Sequence, residues 1–318
     1  MTIRLTVLNQ TKACAVLTDE QTESLAQQLE AHPNYRVLRR LAPRTFFAKA
    51  DGKPLVKGVI VDTETTGLNQ DADKIMEIGL VVFEYDPESG QAFRVLESFG
   101  ALEDPGIPIT PEITEITGIT NEMVAGKRID DARVAELVSG ASIVIAHNSK
   151  FDRPFLEQRF PVFEELPWGC SFAQVDWDGE GLGARKLDYI AFQFGFFFDA
   201  HRAETDCQAL LTILQQELPK SKVKVLKSLL DQLPQKDWTV YPVSDYASKD
   251  LLKARSYYWD AGRKVWHRTL TGTEAITGEV AWLKESIYGG RRIKLEFEVR
   301  DALLRYSKRP GKKVFKDV

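Results

Sequence analysis

The hydrophobic pattern changes its period several times along the chain, as it does in domains that alternate strands with helices. Short apolar runs rich in valine, isoleucine and phenylalanine predict four strands, at residues 59–61, 75–83, 93–99 and 142–146. The first three strands are expected to be linked by hairpins. Apolar residues at helical spacing predict helices at residues 149–160 and 203–218. The middle of the chain is therefore predicted to be an α/β domain.

Different patterns flank this middle part on both sides. Near the start, Ile3, Leu5 and Val7 alternate with polar residues, and a capping box at residues 18–21 predicts a helix over residues 19–30. A strand is expected at residues 35–41. Beyond the middle part, the predicted helices cover residues 219–234, 244–254 and 274–287, and the predicted strands cover residues 238–243, 257–270 and 292–299. The basic tail at residues 308–316 is expected to fray.

These patterns divide the chain into four parts. They are a small N-terminal accessory domain at residues 1–56, an α/β domain at 57–218, a linker helix at 219–236 and a basic α+β domain at 237–318. The predicted fold class is therefore α/β, with small α+β accessory domains at both ends.

Composition indicates an ordinary globular protein in a reducing compartment. Of the 318 residues, 43% are apolar and 28% are charged, and no apolar run approaches the roughly 20 residues of a membrane helix. Cys14, Cys170 and Cys207 are far apart and lack metal-type spacing, so we interpret them as reduced thiols. We expect a cytoplasmic location without membrane contact.

Charge is distributed unevenly along the chain, although the net charge is only −4. Residues 1–57 carry 9 Lys and Arg against 5 Asp and Glu, residues 58–218 carry 11 against 29, and residues 219–318 carry 22 against 12. An acidic centre attracts divalent cations but repels a polyanion, and the basic ends can supply that attraction. The same acidity also serves solubility, and this second interpretation stays open.

An acidic pair follows the first apolar strand of the α/β domain. Asp62 and Glu64 lie two residues apart, so a strand presents both side chains on one face, where they repel each other unless a cation neutralises them. Asp152 after the fourth strand and Asp206 on a helix can reach the same sheet edge. Four carboxylates can hold two divalent cations, and oxygen ligands favour Mg²⁺ or Mn²⁺. His201 is the natural general base beside them.

Three motifs carry a resemblance to a known family: residues 61–68 (VDTETTGL), residues 146–152 (AHNSKFD) and residues 201–206 (HRAETD). Over residues 57–218 the chain resembles the DEDDh 3′–5′ exonucleases, which include the proofreading epsilon subunit of bacterial DNA polymerase III. The resemblance implies a ribonuclease-H-like, mixed five-stranded sheet flanked by helices. It implies that Asp62, Glu64 and Asp206 bind a first cation, that Asp62 bridges to a second, and that Asp152 supports the second.

The resemblance also implies a site for the 3′-terminal nucleotide. Leu68 would wedge beside the last base, and Phe151 would pack near the same end. The implied substrate-binding residues are Thr65, Thr66, Gly67, Leu68, His147, Asn148 and Phe151. The phenylalanines at 192–198 are expected in the core rather than as a stacking platform for bases. The aromatic and basic stretch 255–268 is typical either of a packed hairpin or of a surface that binds nucleic acid.

We therefore expect a two-metal exonuclease that releases nucleoside 5′-monophosphates from single-stranded or frayed DNA 3′ ends. Trimming of RNA 3′ ends by the same chemistry stays open, because contacts to the 2′-hydroxyl depend on pocket shape. A nucleic-acid-binding adaptor without turnover is the other alternative. A DNA polymerase or a repair protein is left open as a partner.

Overall fold

The computed structural model describes residues 17–49 and 52–317. The alternating residues Ile3, Leu5 and Val7, together with Cys14, lie outside this described part. Helix α1 (Asp19–Glu30) begins at the predicted capping box, in which Thr18 and Gln21 exchange hydrogen bonds. The strand expected at residues 35–41 is reduced to β1 (Arg39–Arg40).

The central sheet has five strands, which confirms the predicted mixed five-stranded sheet. The strands are β2 (Val56–Thr65), β3 (Ile75–Tyr85), β4 (Ala92–Leu102), β5 (Ile143–Ala146) and β6 (Trp168–Cys170). Their order is β4-β3-β2-β5-β6, with β2, β3 and β4 antiparallel and β2, β5 and β6 parallel. The hairpins that join β2, β3 and β4 agree with the sequence analysis.

Helices cover both faces of this sheet. In chain order they are α2 (Pro111–Thr117), α3 (Asn121–Val124), α4 (Asp131–Val138), α5 (Ser149–Arg159), α6 (Ser171–Gln174), α7 (Leu187–Gln193), α8 (Ala203–Leu214) and α9 (Val225–Asp231). Alternate residues of β2 point to opposite faces, so Ile60 packs with α8 and Val59 packs with α4 and α5. The sheet is therefore buried on both sides, and α5 and α8 flank the same strand.

Residues 237–317 form a second region, in which a sheet packs with two helices. Its elements are β8 (Asp237–Tyr241), α10 (Lys249–Ala254), β9 (Tyr258–Asp260), β10 (Val265–Thr271), α11 (Thr273–Ser286), β11 (Lys294–Arg300) and β12 (Lys312–Asp317). The strand order is β12-β11-β8-β10-β9, all antiparallel. The prediction of a frayed tail was wrong, because β12 pairs with β11 through six residues, from Lys312 to Asp317.

Both ends of the described chain contact the central domain. Strand β1 pairs in parallel with β7 (Phe196–Phe197), and Arg36 donates hydrogen bonds to the carbonyl groups of Phe192 and Gln193. At the other end, the connection between β11 and β12 lies against α5, where the buried Arg153 donates to its carbonyl groups. The division of the chain into four domains stays a prediction.

Within the ranges 17–49 and 52–317, no helix combines the length and the apolar character needed to cross a membrane.

Candidate active site

Three acidic side chains meet at the end of β2. Asp62 and Glu64 leave this strand on one face, and Asp206 comes from the first turn of α8. Each of the three offers a carboxylate oxygen, and these oxygens all lie within 4.8 Å of one another. Carboxylates this close stay together as anions only if a cation neutralises them, so the cluster is chemically suited to a divalent metal ion.

Asp152 lies beside this cluster but is held differently. It is buried in the first turn of α5, and its Oδ1 atom accepts hydrogen bonds from the backbone N–H of Thr63, at 3.1 Å, and the Thr63 hydroxyl, at 2.8 Å. Thr63 stands between Asp62 and Glu64 on β2. The structure therefore brings all four predicted carboxylates to one strand end, with three forming the closest group.

Burial and mutual repulsion raise the pKa values of all four acids. Loss of water raises the pKa of Asp62 well above its usual range, and repulsion from Asp152 and Asp206 adds to this effect. Burial raises the pKa of Glu64 to about 8, assisted by repulsion from Asp206. Burial also raises the pKa of Asp152 to about 7 and that of Asp206 to about 7, although hydrogen bonds partly oppose both shifts. The cluster is therefore unstable as four free anions.

A fifth acid, Glu77, was missed in the sequence analysis. It faces Glu64 across the β2–β3 pair, and it is only 4% exposed. Its carboxylate accepts hydrogen bonds from the Arg202 guanidinium, at 2.9 Å, and from the backbone N–H of Ala203, at 3.1 Å. Glu77 therefore caps the first turn of α8 and fixes the helix that presents Asp206. Its signal in the sequence was an acid among the apolar residues at the start of β3.

Gly79 lets α8 approach the sheet at this point. It lies opposite Asp62 on β3, and a Cβ atom there would stand 2.2 Å from the carbonyl carbon of Ala203. Because glycine has no side chain, the start of α8 can lie directly on β3, where a larger residue would clash with it. Asp206 thereby reaches Asp62.

His201 lies two residues before α8 and has an exposed side chain. Its backbone adopts a left-handed conformation, with φ of 68°. The backbone N–H groups of His201 and Arg202 are directed at the carboxylate of Asp206, and the Arg202 nitrogen lies 3.0 Å from Oδ2. The residue predicted as general base is therefore anchored next to the acidic cluster through its backbone, while its ring is exposed to solvent.

The loop after β2 presents an exposed leucine. Thr65 donates its hydroxyl to the carbonyl of Gly67, and Thr66 donates to Asp73, so both threonine side chains are used inside the loop. A Cβ atom at Gly67 would lie 2.5 Å from the Asp73 carboxylate, which explains the need for glycine. Leu68 is 84% exposed at the tip of the loop. The role of Leu68 as a wedge stays a prediction, and the hydrogen bonds of the two threonines hold the loop that carries it.

The second motif splits into two environments. Phe151 is half-buried on α5 and packs against Phe155, with ring centroids 5.2 Å apart. Asn148 caps the helix start in a left-handed conformation, which asparagine tolerates better than most residues. His147 is not free to contact a substrate with its ring nitrogens. Nε2 donates to the carbonyl of Arg185 at 2.7 Å, Nδ1 lies 2.8 Å from the Ser171 hydroxyl, and burial lowers the pKa of His147 to about 4.

The aromatic stretch before His201 lies only partly in the expected core, because Phe192 and Phe197 are 41% and 40% exposed. Phe196 is buried in the core that α8 also lines. The guanidinium of Arg36 lies 4.4 Å from the ring centre of Phe192, and that of Arg40 lies 4.9 Å from the ring centre of Phe197. Two arginines of the N-terminal segment therefore contact the two most exposed rings.

Comparisons with known proteins match the part of the chain that holds this site. A family model described as Exonuclease matches residues 59–214. The DNA polymerase III subunit epsilon of Treponema pallidum is 33% identical over 169 residues, which cover 48% of this chain and 74% of that protein. The PolC-type DNA polymerase III of Clostridium perfringens is 32% identical over 176 residues, which cover 52% of this chain but only 11% of that protein.

Solved exonuclease structures are also similar to the chain. Exonuclease X in complex with 5′-overhanging duplex DNA is 28% identical, with 48% of this chain and 88% of that one covered and a TM-score of 0.38. A structure of exonuclease I is 16% identical, with 68% and 62% covered and a TM-score of 0.44. The family match leaves the N-terminal segment and the second sheet outside it.

Proposed function

The chain belongs to the Exonuclease family, and from that premise we propose that it is a metal-dependent 3′–5′ exonuclease acting on single-stranded or frayed DNA. The single observation that carries the proposal is the group formed by Asp62, Glu64 and Asp206, with carboxylate oxygens within 4.8 Å. Support for DNA comes from the similar proteins, which are named as components of DNA polymerase III. A role in proofreading or repair belongs to the same proposal, as does contact with a polymerase.

The acidic cluster fits divalent cations by the chemistry of its donors. Its ligand atoms are carboxylate oxygens, which Mg²⁺ and Mn²⁺ prefer, and a bound cation would offset the burial and mutual repulsion that raise the pKa values of Glu64 and Asp206. Asp62, Glu64 and Asp206 would hold one cation, and Asp62 with Asp152 would hold a second. When bound, two such cations supply the charge that activates water and stabilises the phosphate in phosphodiester hydrolysis.

The remaining site residues bind and orient the substrate. Leu68 would lie beside the terminal base, and Phe151 would support the same nucleotide from α5. Thr65, Thr66 and Gly67 hold the loop that carries Leu68. An imidazole nitrogen of His201 would accept the proton of the attacking water, because the ring is exposed beside the cluster and imidazole titrates near neutral pH.

Digestion of 5′-labelled, single-stranded DNA and RNA of matched sequence tests this function. We expect a ladder that shortens from the 3′ end on DNA, that needs Mg²⁺ or Mn²⁺, and that disappears with chelator and in Asp62→Ala. Glu88→Ala is the matched control, because Glu88 belongs to another Asp-x-Glu sequence in an exposed turn. Faster degradation of RNA would redirect the proposal to RNA trimming. Binding of DNA without any cleavage would support the adaptor instead.

A further inference from the structure

A groove on the second sheet has no role in the proposed hydrolysis. It has a volume of about 530 Å³ and lies between α10 and the edge strand β9. Three aromatic and two basic residues dominate its lining: Tyr246, Trp259, Trp266, Lys249 and Lys253. The residues that line it lie outside the part of the chain matched by the family model.

Two tryptophans form one wall of the groove. Trp259 on β9 and Trp266 on β10 are directly paired, and their ring centroids are 5.5 Å apart in an edge-to-face arrangement. Trp266 packs partly against the core of the second sheet, whereas Trp259 is 51% exposed. A tryptophan held by its neighbour with a free face is suited to stacking with a planar ring.

The other side of the groove carries two lysines and one acid, Asp245. Lys249 lies 4.1 Å from the ring centre of Tyr246 and donates to its hydroxyl, and Lys253 follows one turn later on α10. Neither lysine has a carboxylate within ion-pair distance among the residues that the structure describes. The nearby Asp245 uses its carboxylate to accept hydrogen bonds from Ser248. Two ammonium groups without a carboxylate partner, beside stacking rings, match a ligand that combines flat bases with phosphates.

We propose that this groove binds single-stranded nucleic acid, with a base stacked on Trp259 and phosphates at Lys249 and Lys253. The proposal rests on the proposed exonuclease function, because it identifies the groove as a second contact for the same strand. Hydrogen bonds from Arg153 to the connection after β11 fix the second sheet to the catalytic domain. A strand held in the groove therefore stays attached to the domain that carries the acidic cluster.

Binding of labelled oligothymidylate to the full chain in chelator, measured by fluorescence anisotropy, tests the groove. We expect Trp259→Ala to weaken binding about tenfold and Trp259→Phe to weaken it less, because a phenyl ring still stacks. Tyr258→Ala is the matched control, because Tyr258 directly precedes Trp259 on the same strand, is 68% exposed and faces the other side of the sheet. Equal affinity of Trp259→Ala and the unmodified chain would overturn the proposal, as would an equal loss in Tyr258→Ala.

The salt dependence of binding tests the two lysines. Removing two phosphate contacts should lower the slope of log affinity against log salt by about 1.4 in the double variant Lys249→Ala/Lys253→Ala. Lys284→Ala/Lys312→Ala removes the same charge from outside the groove and should leave the slope unchanged. Equal slopes for the two double variants would overturn the assignment of phosphates to the groove. An oligouridylate of equal length then shows whether the groove distinguishes DNA from RNA.

Hydrolysis of the nitrophenyl ester of thymidine 5′-monophosphate by the unmodified chain separates this proposal from the exonuclease function. If the unmodified chain hydrolyses the ester and Trp259→Ala binds DNA with unaltered affinity, the groove proposal is rejected and the exonuclease function is retained. If Trp259→Ala binds DNA more weakly but the unmodified chain hydrolyses neither the ester nor DNA, the groove proposal is retained and the exonuclease function is rejected.

Discussion

Arg153 donates a hydrogen bond of 2.6 Å from its guanidinium to the carbonyl oxygen of Leu303, although 150 residues separate the two. Arg153 directly follows Asp152 on α5, and its side chain is 0% exposed. The same guanidinium donates to the carbonyl of Arg305, and its Nε lies 2.7 Å from Glu157. The buried guanidinium of Arg153 on α5 therefore needs the carbonyl groups that follow β11, so the folding of the central domain and that of the second sheet are coupled.

Substitution Arg153→Ala should therefore destabilise the whole protein. It leaves the carboxylate of Glu157 with less compensation and the buried carbonyl group of Arg305 without its donor, so the free energy of unfolding should fall by about 3–5 kcal/mol. Urea unfolding followed by circular dichroism measures this loss. In the control Arg128→Ala, which breaks an exposed ion pair with Asp131, the change should stay below about 1 kcal/mol. Similar losses in both variants would show that the buried contact is unimportant.

The raised carboxylate pKa values predict how stability varies with pH in chelator. A carboxylate whose pKa is higher in the folded state contributes stability below its unfolded pKa, and this stability is lost as pH rises through the folded pKa. For Asp152 and Asp206 that value is about 7, and for Glu64 it is about 8. The melting temperature in chelator should therefore fall between about pH 5 and pH 8.

Magnesium should reverse much of this decline, because a cation that binds the ionised carboxylates stabilises the folded state. Melting curves at several pH values, recorded with chelator and with excess Mg²⁺, measure the effect. In Glu64→Gln the decline in chelator should be smaller, since one of the repelling groups is gone. A decline that is the same in the variant would assign it to charges outside the acidic cluster.

The central sheet and its acids were predictable because local sequence carries their signal. Strand β3 is buried on both faces and contains the uninterrupted apolar run 78–83, and Asp62 stands out because it ends a similar run at residues 59–61. The capping box at Thr18 likewise fixed the start of α1 within four residues of sequence. In each case the physical cause lies within a few positions along the chain.

The errors concern contacts between distant parts of the chain. The tail after Lys308 is strongly basic, and only its pairing with β11 makes it a strand. The hydrogen bonds that occupy His147 come from Ser171 and Arg185, which no spacing rule connects to it. Glu77 accepts its hydrogen bond from Ala203, more than a hundred residues later. Such relationships depend on register and packing, which the hydrophobic period does not specify.

Substitutions of Glu77 should reduce activity to different degrees, depending on whether an acceptor oxygen is retained. In Glu77→Ala the N–H of Ala203 and the guanidinium of Arg202 both lose their acceptor, so the start of α8 should shift and Asp206 should lose its position. Because a displacement of about 1 Å can reduce rate about 100-fold, we expect kcat to fall by roughly 10- to 100-fold with a smaller change in KM. Glu77→Gln retains a carbonyl oxygen for Ala203 and should lose less.

Steady-state hydrolysis of an oligonucleotide, combined with a titration of Mn²⁺, measures this effect. A merely structural role would lower stability without changing the Mn²⁺ concentration needed for half-maximal rate, whereas displacement of Asp206 should raise that concentration. Glu84→Gln serves as control, because Glu84 lies on the same strand and pairs with Arg94 far from the start of α8. Equal kcat values for Glu77→Ala and the unmodified chain would contradict the assignment.

Substitution of His201 should lower the rate of hydrolysis without changing the structure. The side chain is exposed and the backbone has a positive φ, so glycine can replace it without strain, which alanine cannot. In His201→Gly we expect kcat to fall by about 100- to 10,000-fold, which is the contribution of a general base. The melting temperature should stay the same, because few contacts are lost. Added imidazole should restore part of the rate, with a pH dependence that follows the ionisation of imidazole.

The control His32→Ala removes an exposed histidine from the N-terminal segment and should retain full activity. A fall in rate that imidazole cannot restore would assign His201 a role in the path of the backbone before α8 rather than in proton transfer.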